Sequence, residues 1–261
     1  MLPALLNRRK ALKLKLQGRE KVFAGWTSIG HPQVAEILCR AGFGFIGIDI
    51  EHSTISQEQS QRIIAACQAN GTACLPRVAS HNKEMIRRLL DSGADGIIVP
   101  TVESADDVKC LIEWMKYPPV GKRGFGVARA QGYGFDFKEY AGTWNGSSIL
   151  IVQIESIAAV KRIEEIIAAP EVDGVMVGPY DISGSLNIPG QIDHPLVIEA
   201  GLEVVRACRK AGKACGNQIV DPDPARIEEF FGRDYSFAVM ASDIFILWKW
   251  AERMRGLMGR V

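Results

Sequence analysis

Eight short apolar segments, each followed by an amphipathic stretch, repeat along this chain and restrict it to a parallel sheet wrapped in helices. The strand candidates are 22–26, 45–49, 73–77, 96–100, 149–155, 174–178, 213–217 and 237–241. Most are continuous apolar runs without alternation, the pattern of strands covered on both faces. Helical periodicity fills the gaps at 32–41, 57–70, 83–92, 105–115, 157–168, 195–211, 224–231 and 244–257, and Gly42, Gly71, Gly93 and Gly212 supply natural stops. Eight such units are the arithmetic of one closed (β/α)8 barrel, an α/β fold that residues 1–261 fill as a single domain. An open doubly wound sheet is the competing topology. The first strand leads into no GxGxxG, and no GxxxxGK[ST] occurs, so neither nucleotide-binding signature is present.

Three segments depart from the repeat. Residues 3–17 alternate leucines with Lys and Arg, which predicts a surface helix closing one barrel end; a helix lying on a membrane surface is the alternative. Residues 117–145 hold Pro118-Pro119, several glycines and several aromatic residues (Tyr133, Phe135, Phe137, Tyr140 and Trp144 among them), which predicts a long loop at the C-terminal face serving the substrate pocket or a subunit contact. The last helix carries Phe245, Leu247, Trp248, Trp250 and Met254, more apolar bulk than one barrel easily covers, so part of it is expected to pack on another subunit.

Charge narrows the partners. With 31 basic against 30 acidic residues the net charge is +1, which argues against nucleic acid. The cluster Arg8-Arg9-Lys10 is expected to be a solvated helix face. The six cysteines form no CxxC and fall in apolar patterns, consistent with buried thiols in a reducing compartment. Neither a secretory leader nor a stretch approaching the roughly 20 apolar residues of a membrane span is visible, so the expected location is cytoplasmic, with no membrane partner.

Barrel enzymes place their chemistry where strands end. The polar residues there are Trp26, Asp49, Glu51, His52, Arg77, Glu155 and, just beyond the sixth strand, Asp181. Glu155 and Asp181 follow apolar runs, and two carboxylates without cysteine or a second histidine suit Mg2+ or Mn2+ rather than tetrahedral zinc. A purely structural alternative pairs Glu155 with an arginine and makes Asp181 the cap of the turn at Ser183. Arg77 presents a fork of donors suited to a carboxylate or an enolate oxygen, or else serves a fixed ion pair with Glu155 or Glu51. His52, oriented by Asp49, would be a competent acid or base near neutral pH. His31, His81 and His194 sit where capping or solvation is expected. No lysine stands at the active end of a strand, so an aldolase built this way would not use a Schiff base.

The stretches GFGFIGIDIEH, LPRV, LLDSGADGIIVPTVESADD, YPPVGKRGFG, VQIES, VDGVMVGPYDIS and HPLVIEA run in order from Gly42 to Ala200. In them the chain resembles the class II pyruvate-dependent aldolases, which include hydroxy-oxo-heptanedioate aldolase and 2-dehydro-3-deoxy-glucarate/galactarate aldolase and are related to citrate lyase β-subunits. The resemblance implies metal-dependent, reversible aldol cleavage of a 4-hydroxy-2-oxo acid to pyruvate and an aldehyde, with Mg2+ or Mn2+ as the ion and Co2+ as a further option. It implies Glu155 and Asp181 as metal ligands, Arg77 beside the keto oxygen, and His52 as acid/base with Asp49 as its partner. It makes Gly178, Pro179, Tyr180 and Asp181 the seat of the substrate carboxylate and Trp26 a pocket wall. It also implies a hexamer built from dimers that exchange their last helix. Lyases of citryl- or malyl-CoA, or an oxaloacetate decarboxylase, are the neighbouring activities, and a non-catalytic scaffold is the third reading. Tyr180 stands where relatives often have a small residue, Asn187 replaces a usual glycine, CGNQIV is unusually polar and ARAQGYGFDFKEY (128–140) matches loosely. Tyr180 and residues 129–145 are therefore expected to choose the aldehyde.

Overall fold

The apolar runs become strands β1 (Val22–Thr27), β2 (Phe45–Asp49), β3 (Ala73–Arg77), β4 (Gly96–Val99), β5 (Ile149–Ile154), β6 (Gly174–Val177), β7 (Ala214–Ile219) and β8 (Phe237–Met240). The computed structural model describes residues 2–259. All eight strands pair in parallel and in sequence order, and β8 closes on β1 with Val22 opposite Phe237. The closed barrel, not the open sheet, is the fold.

Two apolar layers explain why the strands lack alternation. Ala24, Phe45, Leu75, Ile98, Ile151 and Phe237 fill the barrel interior, while Ile46, Ile48, Ile97, Leu150 and Val175 pack outward on the helices. The N-terminal helix, Leu2–Gln17, sends Leu12 and Leu16 into the interior cluster and closes the N-terminal end. Its basic cluster corrects the expectation of a solvated face. Arg8 Nη2 donates to both oxygens of Asp95 at 2.9 and 2.8 Å, Arg9 is buried, and only Lys10 faces solvent. His31 and His194 cap the helices Pro32–Cys39 and Pro195–Ala211 through ring nitrogens that accept from Gln33 N and Leu196 N. Residues 157–168 are not one helix but two short ones, Ile157–Lys161 and Ile163–Ile166, broken at Arg162. Of the six cysteines, all free, Cys110 is exposed and the other five are buried. No described helix is long and apolar enough to cross a membrane.

The irregular segment lies at the other end of the barrel from the one expected. It leaves the helix Ala105–Met115 and enters β5, so it is an αβ connection on the N-terminal face. It is also largely structured, with a turn of 3-10 helix at Arg129–Gly134 and an α-helix at Phe137–Ser147. Tyr117, Tyr140 and Trp144 are buried, and Trp144 Nε1 donates to Met115 O at 2.7 Å, while Phe125, Tyr133 and Phe135 stay exposed. Within one chain, residues 129–145 therefore do not reach the C-terminal face, and they do not select the aldehyde of their own site.

Beneath that segment Lys116 is buried, its Nζ donating to Ser148 Oγ at 2.7 Å and to Asn145 O at 2.9 Å. Burial, reinforced by the charge of Lys13, pushes its pKa down from 10.5 to about 8. The folded state thus releases this proton more readily than the unfolded chain, so folding gains stability as pH rises from about 8 toward 10.5. The shift is worth about 3 kcal/mol. Urea titrations at pH 7.5 and 10.5 should show wild type gaining about that much relative to Lys116→Gln; a pH-independent difference would refute the burial argument.

The C-terminal helix, Asp243–Met258, begins as a clasp. The buried Asp243 carboxylate accepts from Thr27 Oγ1 at 2.7 Å, Ser28 N at 2.9 Å and Ile29 N at 3.0 Å, joining the helix start to the loop after β1. Farther along, Ile246, Leu247, Trp248 and Met258 are exposed, and Trp250 keeps 61% of its surface open.

Candidate active site

Strand ends at the C-terminal face bring Trp26, Asp49, His52, Arg77, Gly178, Pro179, Tyr180 and Asp181 to one cavity of about 420 Å3. Glu155 stands beside it just past the end of β5, its side chain packed on Gly178. A Cβ at Gly178 would lie 2.8 Å from Glu155 Cβ, so only glycine permits β6 to pass this close to the carboxylate. Trp26 lies flat over Gly47 of β2, where any side chain would collide with its ring.

Arg77 is the hub. Its Nη2 donates to both Asp49 oxygens at 2.8 Å, its Nη1 meets Gln153 Oε1 at 3.4 Å, and its guanidinium stacks 5.2 Å from the centre of the Trp26 ring. Trp26 Nε1 reaches the same Asp49 carboxylate at 3.4 Å. Burial alone would raise the Asp49 carboxyl, but the charge and hydrogen bonds of Arg77 outweigh it and hold it below the ordinary range. The arginine's ion pairs are with Asp49 and Glu51, not Glu155.

The geometry corrects one pairing. Asp49 accepts from the backbone N of His52 at 3.1 Å, so it fixes the loop and not the imidazole. The ring faces Glu51, with Nε2 3.6 Å from Glu51 Oε2, and 66% of the side chain is open to solvent. The reason is strand geometry. Asp49 ends β2 pointing inward at Arg77, and the chain turns over the next residues before His52 can look back at it.

Glu155 accepts from Thr101 N at 2.6 Å and from Gln153 Nε2, with no arginine on it among the described residues. Thr101 takes a positive φ of 52° to aim that N–H. Asp181 is exposed and caps no turn; Ser183 Oγ instead donates to Tyr180 O at 2.5 Å. Glu155 is pushed up by burial first, opposed by its two donors and reinforced by the charges of Glu51 and Asp181. Glu51 is pushed up by burial as well, against the pull of Arg77 and His52 and with the repulsion of Asp49 and Asp181. Its buried Oε2 lies 3.2 Å from Arg77 Nε as an ion pair, yet receives no directed hydrogen bond.

Glu51 and Glu155, each raised by burial and by neighbouring carboxylates, stand near the exposed Asp181, and one oxygen of Glu51 is orphaned; such a donor set fits a hard divalent cation. Glu155 and Asp181 could hold it. Among the described residues no group of three or more His, Cys, Asp or Glu converges as a complete cage. Water and substrate oxygens would fill the remaining positions, as Mg2+ favours.

Gln153, Glu51 and the Thr101 amide escaped the residue-by-residue reading of ligands and bases. Gln153 carried a usable signal: it is the single polar residue inside an apolar strand, two positions before Glu155 and so on the same face. Thr101 carried none, because its role rests on the backbone.

Known proteins share this arrangement of strands. The chain is 34% identical over 248 residues to the hydroxypyruvate/pyruvate aldolase of Roseobacter denitrificans, covering 94% of each. It is 34% identical over 237 residues to the 2-dehydro-3,6-dideoxy-6-sulfogluconate aldolase of Pseudomonas putida, covering 90% of this chain and 92% of that one. The crystal structure of an HpcH/HpaI aldolase/citrate lyase family protein from Burkholderia cenocepacia superposes with a TM-score of 0.89 at 30% identity, over 97% of this chain and all of that one. With residues 23–248 also matching the family profile, nearly the whole barrel and every strand end around the cavity fall inside the match, and the chain belongs to the HpcH/HpaI aldolase/citrate lyase family.

Proposed function

We propose that this protein is a divalent-metal-dependent aldolase that cleaves a 4-hydroxy-2-oxo acid to pyruvate, or a close relative such as hydroxypyruvate, and an aldehyde. Aldol-type lyase chemistry on 2-oxo acids is the activity for which its similar relatives are named. The observation that carries the finer reading is the pair Glu155 and Asp181 beside an arginine locked by Asp49. When bound by those carboxylates, Mg2+, Mn2+ or Co2+ supplies Lewis acidity toward the 2-oxo oxygen.

The chain's own groups do the rest. The N–H groups of Tyr180 and Asp181, in the first turn of the helix Pro179–Ser185, lack intrahelical acceptors and would receive the substrate carboxylate. Arg77, held in one orientation by its double bond to Asp49, would stabilise the oxygen on which charge develops. His52, at the cavity mouth, would take the proton from the C4 hydroxyl. As that O–H bond breaks, the aldehyde C=O forms, the C3–C4 bond breaks, and its electron pair passes into the enolate. Protonation at C3 then gives the methyl group of pyruvate. Trp26 and Tyr180 wall the space left for the aldehyde.

Purified protein given Mg2+, Mn2+ or Co2+ and a panel of 4-hydroxy-2-oxo acids should release pyruvate, read with a coupled dehydrogenase. Equal release after complete chelation would remove the metal from the proposal, and turnover of malyl-CoA alone would replace its substrate class. We further propose a cytoplasmic homo-oligomer, a hexamer built from dimers, with the exposed apolar face of the C-terminal helix as its contact. Sedimentation at micromolar concentration should show no monomer; a monomeric mass would overturn this assembly.

A further inference from the structure

The N-terminal face holds a second cavity, of about 350 Å3, enclosed by the N-terminal helix, Gly93 and residues 129–140. Nothing in the proposed chemistry uses it. Two arginines line it, with no carboxylate on either among the described residues. Arg9 is 3% exposed; its Nε donates to Ser147 Oγ at 3.0 Å, its guanidinium stacks 4.8 Å from the Trp144 ring centre, and its Nη2 is buried with no acceptor. Arg129 commits only Nη1, to Gln68 Oε1 at 2.6 Å and Ser92 O at 2.9 Å. Of the two acids in the wall, Asp95 is already neutralised by Arg8, which leaves Asp136 against two guanidinium groups. The balance is one positive charge.

The loop that seals this space is built at some cost. Gly132, Tyr133 and Gly134 all take positive φ, 59°, 56° and 102°, which for tyrosine is a strained conformation. That path places Tyr133 and Phe135 in the cavity wall, along with Tyr140, whose ring lies 5.6 Å from the Arg9 guanidinium. A buried cation without an acceptor is expensive unless something supplies one. Burial pushes the Arg9 guanidinium down, Asp95 and Tyr140 pull it back up in part, and the charges of Arg8 and Arg123 push the same way as burial.

We propose that this cavity is a binding site for a small organic monocarboxylate, its carboxylate on Arg9 and Arg129 and its apolar or aromatic body on Tyr133 and Tyr140. Planar, two-oxygen recognition suits guanidinium forks, and the single net charge favours a monoanion over phosphate. The site lies at the opposite end of the barrel from Arg77, so occupancy of the two is separable.

Calorimetric titration with benzoate tests this, with inorganic phosphate as the comparison. Wild type and Arg77→Ala should bind benzoate alike, while Arg129→Gln should bind it about tenfold or more weakly, the usual worth of a charge-assisted hydrogen bond. Arg9→Gln should do the same, provided that it folds; Arg129 is half-exposed and keeps the test decisive if it does not. Phosphate binding as tightly as benzoate would overturn the monocarboxylate assignment. Loss of benzoate binding in Arg77→Ala but not in Arg129→Gln would place the ligand at the other end of the barrel. Absence of binding to wild type at millimolar benzoate would remove the site altogether.

Discussion

Arg77→Met is expected to lose both rate and stability, and Asp49→Asn added to it should return only the stability. Removing the guanidinium takes away a donor to the developing oxyanion, worth about 3 kcal/mol or a hundredfold and more in rate. It also strands Asp49, which is buried and held below its ordinary pKa by that same arginine. Breaking a buried pair from one side costs about 3–5 kcal/mol. Asparagine at 49 removes the stranded charge, and Glu51, already pushed toward its neutral form, can take up a proton. Urea denaturation and pyruvate release on the single and double variants read the two effects apart. If the double variant regains its rate, Arg77 is only a structural partner of Asp49 and plays no part in the chemistry.

His52→Ala should produce the opposite profile, a large kinetic loss on an intact fold. General acid–base catalysis is typically worth about 10² to 10⁴ in rate. The ring is mostly solvated, and Asp49 grips the backbone N of residue 52 whatever side chain follows. Stability should therefore stay within about 0.5 kcal/mol, the usual range for surface changes. Added imidazole should recover part of the rate, because the truncated side chain leaves room at the cavity mouth. A variant with unchanged turnover would move the base elsewhere, with Glu51 the nearest alternative.

Those two variants separate what could be read in the chain from what could not. The strands and most helices were legible because a parallel barrel buries both faces of every strand, so 45–49 and 73–77 stand out as uninterrupted apolar runs between glycine-stopped helices. The polar residues at strand ends were legible for the same reason, since any charge there needs an explanation. Which of them touch was not. Asp49 precedes His52 by three residues and suggested a dyad, but strand direction gave its carboxylate to Arg77, far away in sequence. The segment 117–145 misled through composition: its glycines and aromatics resemble those of a substrate loop. Its position after a helix, and so at the N-terminal end, was visible in the order of elements and carried more information than its residues. The burial of Arg9 had no sequence signal, because it depends on Trp144 and Ser147 arriving from a distant helix.

The Asp243 clasp ties two properties together that are usually tuned separately. The residue opens the helix whose far part is the proposed subunit contact, and it grips the loop after β1; its neighbours Ile244 and Phe245 line the catalytic cavity. A partner that grips the outer helix therefore also steadies one wall of the pocket at the helix root. On the proposed assembly, apparent affinity for substrate would become a function of the protein's own concentration, and kinetic constants measured at high dilution would describe a looser catalyst than the one working at cellular abundance.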